Sequence, residues 1–265
     1  MRLRAATLLL VAAATAGAAR GPDQLTLARR YYNLGQYDQA LEAARAASSN
    51  AANASSARLV MGRSRLERYR QALVPQELED ARVDLHVVDP RVLDSRERIE
   101  LQIGLAELLF FEERFGAAAE LLDPIVESSA TLAPDAHEHA LDWWATALDR
   151  QAQTQPMGER SLVYLRISER MQQELRRDAA SAPATYWLAA SARAAGDLDR
   201  AWATALAGWI RASLTRDRGV TLRADLDKLV TQAIIPDRAS RVPARDRRQA
   251  AEKMTTEWEN FKKIW

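Results

Sequence analysis

The sequence predicts an all-α protein, a right-handed solenoid of about five antiparallel helix pairs finished by carboxy-terminal capping helices. Three observations carry this expectation. Only ten Gly and nine Pro interrupt 265 residues, and alanine supplies roughly a fifth of them, the composition of helices packed through small side chains. Apolar residues recur at three- and four-residue spacing along most of the chain. A small-residue pattern also returns three times at widely separated positions.

Residues 1–20 read as an address. Arg2 and Arg4 precede a small-apolar run from Ala5 to Ala16, followed by Gly17, Ala18 and Ala19. That order is a secretory signal, with cleavage expected after Ala18, so residues 1–18 form the signal peptide. The run is too short to span a bilayer, for which about 20 apolar residues are needed. Together with a GC-rich amino-acid usage, weighted to Ala and Arg, this predicts a bacterial periplasmic or secreted protein whose mature chain has no membrane span.

Residues 22–214 form the repeat region. Ala28, Gly35, Tyr37 and Ala40 recur in register as Ala106, Glu113, Phe115 and Ala118, and again as Ala189, Gly196, Leu198 and Ala201. Alanine on both helices of a pair lets their axes approach, and the large residue after the turn fills the wedge where they diverge. Gly35 and Gly196 supply the positive φ that ends a first helix. Glu113 does not, so the middle turn is expected to be built differently. Degenerate pairs fill the gaps. One runs from Ala57 to Tyr69 with a partner opening at Pro75. Another runs over 134–153, followed by a helix over 160–177. Asp89-Pro90, Asp123-Pro124, Thr154-Gln155-Pro156 and Ser181-Ala182-Pro183 are expected as stops between helices.

After Leu214 the rhythm breaks, and residues 215–265 read as an extension. Leu222, Leu226, Leu229 and Val230 define a helix ended by Ile235-Pro236. A polar loop follows to Arg248, then a last helix over 251–265 with Met254, Trp258, Phe261 and Trp265 on one face. A cap over the open end of the last hairpin is its expected role, with an exposed aromatic anchor as the alternative.

The repeat pattern resembles the tetratricopeptide repeat (TPR). The resemblance implies that the first helix of each pair lines a concave groove, with Arg29, Tyr32 and Asn33, then Glu107, Phe110 and Phe111, then Ala190, Arg193 and Ala194 facing it. A basic and aromatic groove at the amino end suits an extended peptide bearing a carboxylate. The adjacent Trp143 and Trp144 cannot point the same way, so one is expected near the surface as a contact for a partner.

The chemistry of the side chains excludes several functions. With no cysteine there is no disulfide, Cys-based zinc site, iron–sulfur cluster or thiol nucleophile. A formal charge of +1 offers no surplus for binding nucleic acid. No phosphate-cradling glycine loop, dinucleotide fingerprint or nucleophile elbow occurs. His137 and His139 are two apart, hence about 200° apart around a helix, and cannot share a metal; Asp135 and His139 give only a two-ligand hint. Solvated polar residues near a helix start are the expected reading of this group. No metal, cofactor or catalytic residue is therefore expected. The predicted function is a non-catalytic scaffold or adaptor that binds a protein or peptide partner. The alternative is a cell-envelope enzyme acting on glycans or small molecules through carboxylates and tryptophan stacking.

Overall fold

The computed structural model describes residues 23–128 and 134–265, all helices and turns with no strand among the described residues. The signal segment and the side chain of Asp135 lie outside them. In chain order the helices are α1 (Gln24–Asn33), α2 (Tyr37–Ser48), α3 (Ala54–Ala72), α4 (Pro75–His86), α5 (Ser95–Phe111) and α6 (Phe115–Glu127). They continue with α7 (Pro134–Gln153), α8 (Met157–Arg177), α9 (Ala182–Ala194), α10 (Leu198–Arg211), α11 (Val220–Leu229), α12 (Ile235–Ser240) and α13 (Arg247–Ile264). From α1 to α11 each helix packs on its successor. The odd-numbered helices α1, α3, α5, α7, α9 and α11 also touch one another in that order, forming a common layer.

Small side chains set how closely these helices approach. Ala28, Ala40, Ala118, Ala189 and Ala201 are completely buried and Ala106 nearly so, as their recurring positions predict. In the wedge, Tyr37 packs on Tyr32 at 5.7 Å and Phe115 on Phe110 at 5.2 Å between ring centroids, the same five-residue step in both copies.

The three turns are identical in their hydrogen bonds, which corrects the expectation for the middle one. The N–H groups of Gln36, Arg114 and Asp197 each donate to the carbonyl five residues back, on Tyr31, Leu109 and Ala192, all at 2.9 Å. The residue before each adopts the left-handed conformation, with φ of 70° at Gly35, 60° at Glu113 and 82° at Gly196. A Schellman turn thus closes all three helices, and at Glu113 it does so against the Cβ penalty of roughly 1–2 kcal/mol. Glu113 is exposed. Glu113→Gly is therefore expected to stabilise the fold by about 0.5–1 kcal/mol. A urea transition with a raised midpoint and unchanged slope checks this, and a midpoint at or below that of the parent counts against it.

Two prolines behave differently from their sequence reading. Pro124 lies inside α6 instead of ending it. Pro236 does not end the helix begun at Val220: a π-turn over Val230–Ile234 intervenes, and α12 continues to Ser240 with Pro236 in its first turn. The backbone stays helical through the join, so the proline, which has no N–H to give, sits where the π-turn has already shifted the hydrogen-bond register. The last helix starts at Arg247, four residues earlier than expected.

The described core falls into contiguous clusters. Trp144 sits in the one formed by α5 to α9, and Trp258 in the one formed by α9 to α13.

Candidate functional site

Helical spacing alone brings several polar and aromatic groups onto the odd-numbered layer. Arg63, Glu67 and Arg70 share a face of α3 by steps of four and three. Glu107, Phe110 and Phe111 do the same on α5, and His139 and Trp143 on α7. Packing of α3 on α5 and α5 on α7 then joins them into one polar and aromatic cluster.

Its centre is Glu107, which is 2% exposed. Its Oε1 has no hydrogen-bond partner among the described residues. Burial pushes its carboxyl up to about 7, opposed in part by the Arg63 guanidinium and reinforced by Glu67. Glu67 is also buried, but its Oε2 accepts from Arg70 Nε at 3.0 Å and from the Tyr37 hydroxyl at 3.4 Å. Arg63 lies over the Tyr32 ring at 4.7 Å and 3.6 Å from Glu100. At the mouth, Trp143 Nε1 donates to His139 Nε2 at 2.9 Å, and burial lowers the imidazole's proton affinity. Glu67, Glu107 and His139 each offer a ligand atom within 4.8 Å of the other two.

The aromatic residues expected in the groove stand beside this cluster. Trp143 meets Phe110 edge-on at 4.8 Å and Phe111 at 5.6 Å, and Phe111 meets Tyr69 at 5.1 Å. Trp143 is half-buried, whereas Trp144 is 1% exposed and its N–H is held by Asp123 at 2.9 Å. Trp144 is therefore a core residue and not a contact for a partner. Arg29, Tyr32 and Asn33 do come together, lining a cavity of about 120 Å³. Arg29 is already paired with Glu97 in that cavity, and Arg193 with Asp237 at 2.8 Å, so neither arginine presents an uncompensated charge to a carboxylate. His137 is also corrected: it is buried against Glu174 of α8 at 3.1 Å instead of solvated.

Further along the layer α7, α9 and α11 flank an open cleft of about 900 Å³. Six of its lining residues are acidic, Glu138, Asp142, Asp149, Asp178, Asp217 and Asp225, against the arginines Arg150 and Arg216. Tyr186 and Trp187 form part of its wall. Asp142 accepts from Trp187 Nε1 at 2.8 Å, and Asp149 from the Tyr164 hydroxyl at 2.9 Å, so neutral donors orient both carboxylates without cancelling their charge. Burial and then neighbouring carboxylates raise the proton affinity of Glu138, which faces Asp178; burial does the same for Asp225, with Asp142 adding to it against Lys228. Asp217 differs. The Thr221 backbone N–H, with the hydroxyls of Thr221 and Thr215, holds its carboxyl far below the usual range.

Asp142, Asp225, Arg63 and Glu67 are not among the residues that the sequence points to as a site. The usable signal was the four-residue step from Arg63 to Glu67 on a helix already assigned to the repeat. Comparison of the chain with protein-family models, with characterised proteins and with solved structures finds no match.

Proposed function

We propose that this protein is an exported, non-catalytic interaction module, a right-handed TPR-like solenoid whose concave face takes an extended cationic segment of a partner protein. The observation that carries the proposal is the acidic cleft beside α7, α9 and α11, with carboxylates outnumbering arginines on its lining. Carboxylates crowded at one opening repel one another, and a lysine- or arginine-bearing segment relieves that repulsion as it docks. Tyr186 and Trp187 add flat apolar surface against which such a segment packs. The succession of odd-numbered helices in contact supports the solenoid reading, because stacked helix pairs place their first helices side by side. Export rests on the amino-terminal segment, with its Arg-flanked apolar run and small residues at the cleavage point.

Fluorescence anisotropy with labelled extended peptides tests this. A Lys/Ser peptide is expected to bind more tightly as salt is lowered, and a Glu/Ser peptide of equal length to bind far more weakly. Asp142→Asn combined with Asp225→Asn is expected to weaken the cationic peptide roughly 3- to 10-fold. Equal affinity for both peptides, or indifference to the double substitution, sinks the proposal.

A further inference from the structure

We propose that Glu67, Glu107 and His139 form a binding site for a divalent transition-metal ion that ties α3, α5 and α7 together. Two observations carry it independently. The first is convergence, since one ligand atom from each of three helices lies within 4.8 Å of the other two. Donors on a single ion at bond lengths near 2.1 Å stand about 3.4 Å apart in a tetrahedron, so modest side-chain rotations complete the set. The second is Glu107 itself, almost wholly buried with Oε1 unpartnered among the described residues. Native interiors seldom leave a carboxylate oxygen in that condition, and a cation supplies the missing partner.

The surroundings suit ligand roles. Glu67 Oε2 is anchored by Arg70 and Tyr37, which leaves Oε1 for an ion and fixes the carboxylate's orientation, as outer partners of metal ligands do. Arg70 bonds Glu67, and Arg63 stands 3.6 Å from Glu100 and acts on Glu107 through its charge, with no hydrogen bond between them. Glu107 is thus the carboxylate of the group without a hydrogen-bonded cation. An imidazole with two carboxylates matches Zn²⁺, Co²⁺ or Mn²⁺ better than Ca²⁺, which takes an all-oxygen shell. His139 Nε2 already accepts the Trp143 N–H. A metal on this imidazole displaces that hydrogen bond, because a neutral ring has one nitrogen lone pair to give.

The test uses the full chain after chelator treatment, titrated with Zn²⁺ by calorimetry and with Co²⁺ by visible absorption. One ion per chain is expected, together with a Co²⁺ d–d band, a raised melting temperature and a change in indole emission. The emission change is expected to vanish in Trp143→Phe while the one-ion stoichiometry remains. Glu107→Gln, isosteric and checked for folding by circular dichroism, is expected to weaken binding at least tenfold, and His139→Ala likewise. No uptake by the parent chain, or uptake unaltered in both Glu107→Gln and His139→Ala, overturns the assignment.

Discussion

Trp258→Ala is expected to lower the free energy of unfolding by roughly 3–5 kcal/mol, the range for deleting a fully buried large aromatic side chain. The indole is 0% exposed. It meets Trp209 edge-on at 5.3 Å and Trp202 at 6.2 Å, and stacks on Phe261 at 6.1 Å. Its N–H donates to Asp227 at 2.8 Å, and the same carboxylate holds Lys262 at 2.6 Å, so one side chain of α11 secures two residues of α13. Truncation opens a cavity between α10, α11 and α13 and leaves Asp227 with one donor fewer. Trp258→Phe keeps most of the ring contacts and loses only the hydrogen bond and part of the volume, so a smaller loss is expected. Urea unfolding of the three chains gives the comparison. Were α13 an anchor docked only on a partner, Trp258→Ala would change stability by less than about 0.5 kcal/mol, as surface substitutions do.

The second large effect concerns Glu107→Gln in chelator-treated protein. Burial raises this carboxyl to about 7 in the folded state from an ordinary value of 4.5. Between those values the folded chain binds a proton that the unfolded chain has released, so stability is full below about 4.5 and falls as pH rises toward 7. Above that pH the folded state carries a buried carboxylate at a cost on the order of 3 kcal/mol. Glutamine carries no such charge. The variant is expected to match the parent near pH 4.5 and to exceed it by on the order of 3 kcal/mol at pH 8. Arg63, Arg70, Glu67, Tyr32 and His139 surround the group and remain in both chains. His139 titrates the other way, its folded-state affinity for protons being lowered, so stability from it increases with pH. The difference between the two chains cancels that contribution. Parallel pH–stability curves for parent and variant would show that Glu107 does not titrate in this window.

The packing skeleton was legible because it rests on spacing. Alanines at matching positions in three stretches, each followed by a turn and a large residue, place the helices and the residues at their crossings, and Ala28, Ala106 and Ala189 are buried accordingly. Glu113 was misread because a left-handed conformation is favoured by glycine without being reserved for it, and the Schellman hydrogen bonds of its neighbours hold it there. Pro236 was misread because a π-turn one step earlier shifts the helical register, a feature that leaves no mark in composition.

By itself, then, the sequence determined that the chain is helical and where its helices pair, since both follow from periodicities of three to four residues along one strand of text. It also determined that Trp143 and Trp144 face apart. Only the tertiary structure decided which of them is core, that Arg29 and Arg193 are neutralised by Glu97 and Asp237, and that Glu67, Glu107 and His139 meet. Those outcomes depend on residues from different helices, separated by tens of positions. Charge and solvation at such a site are fixed by what packs across it, which spacing within any single helix does not encode.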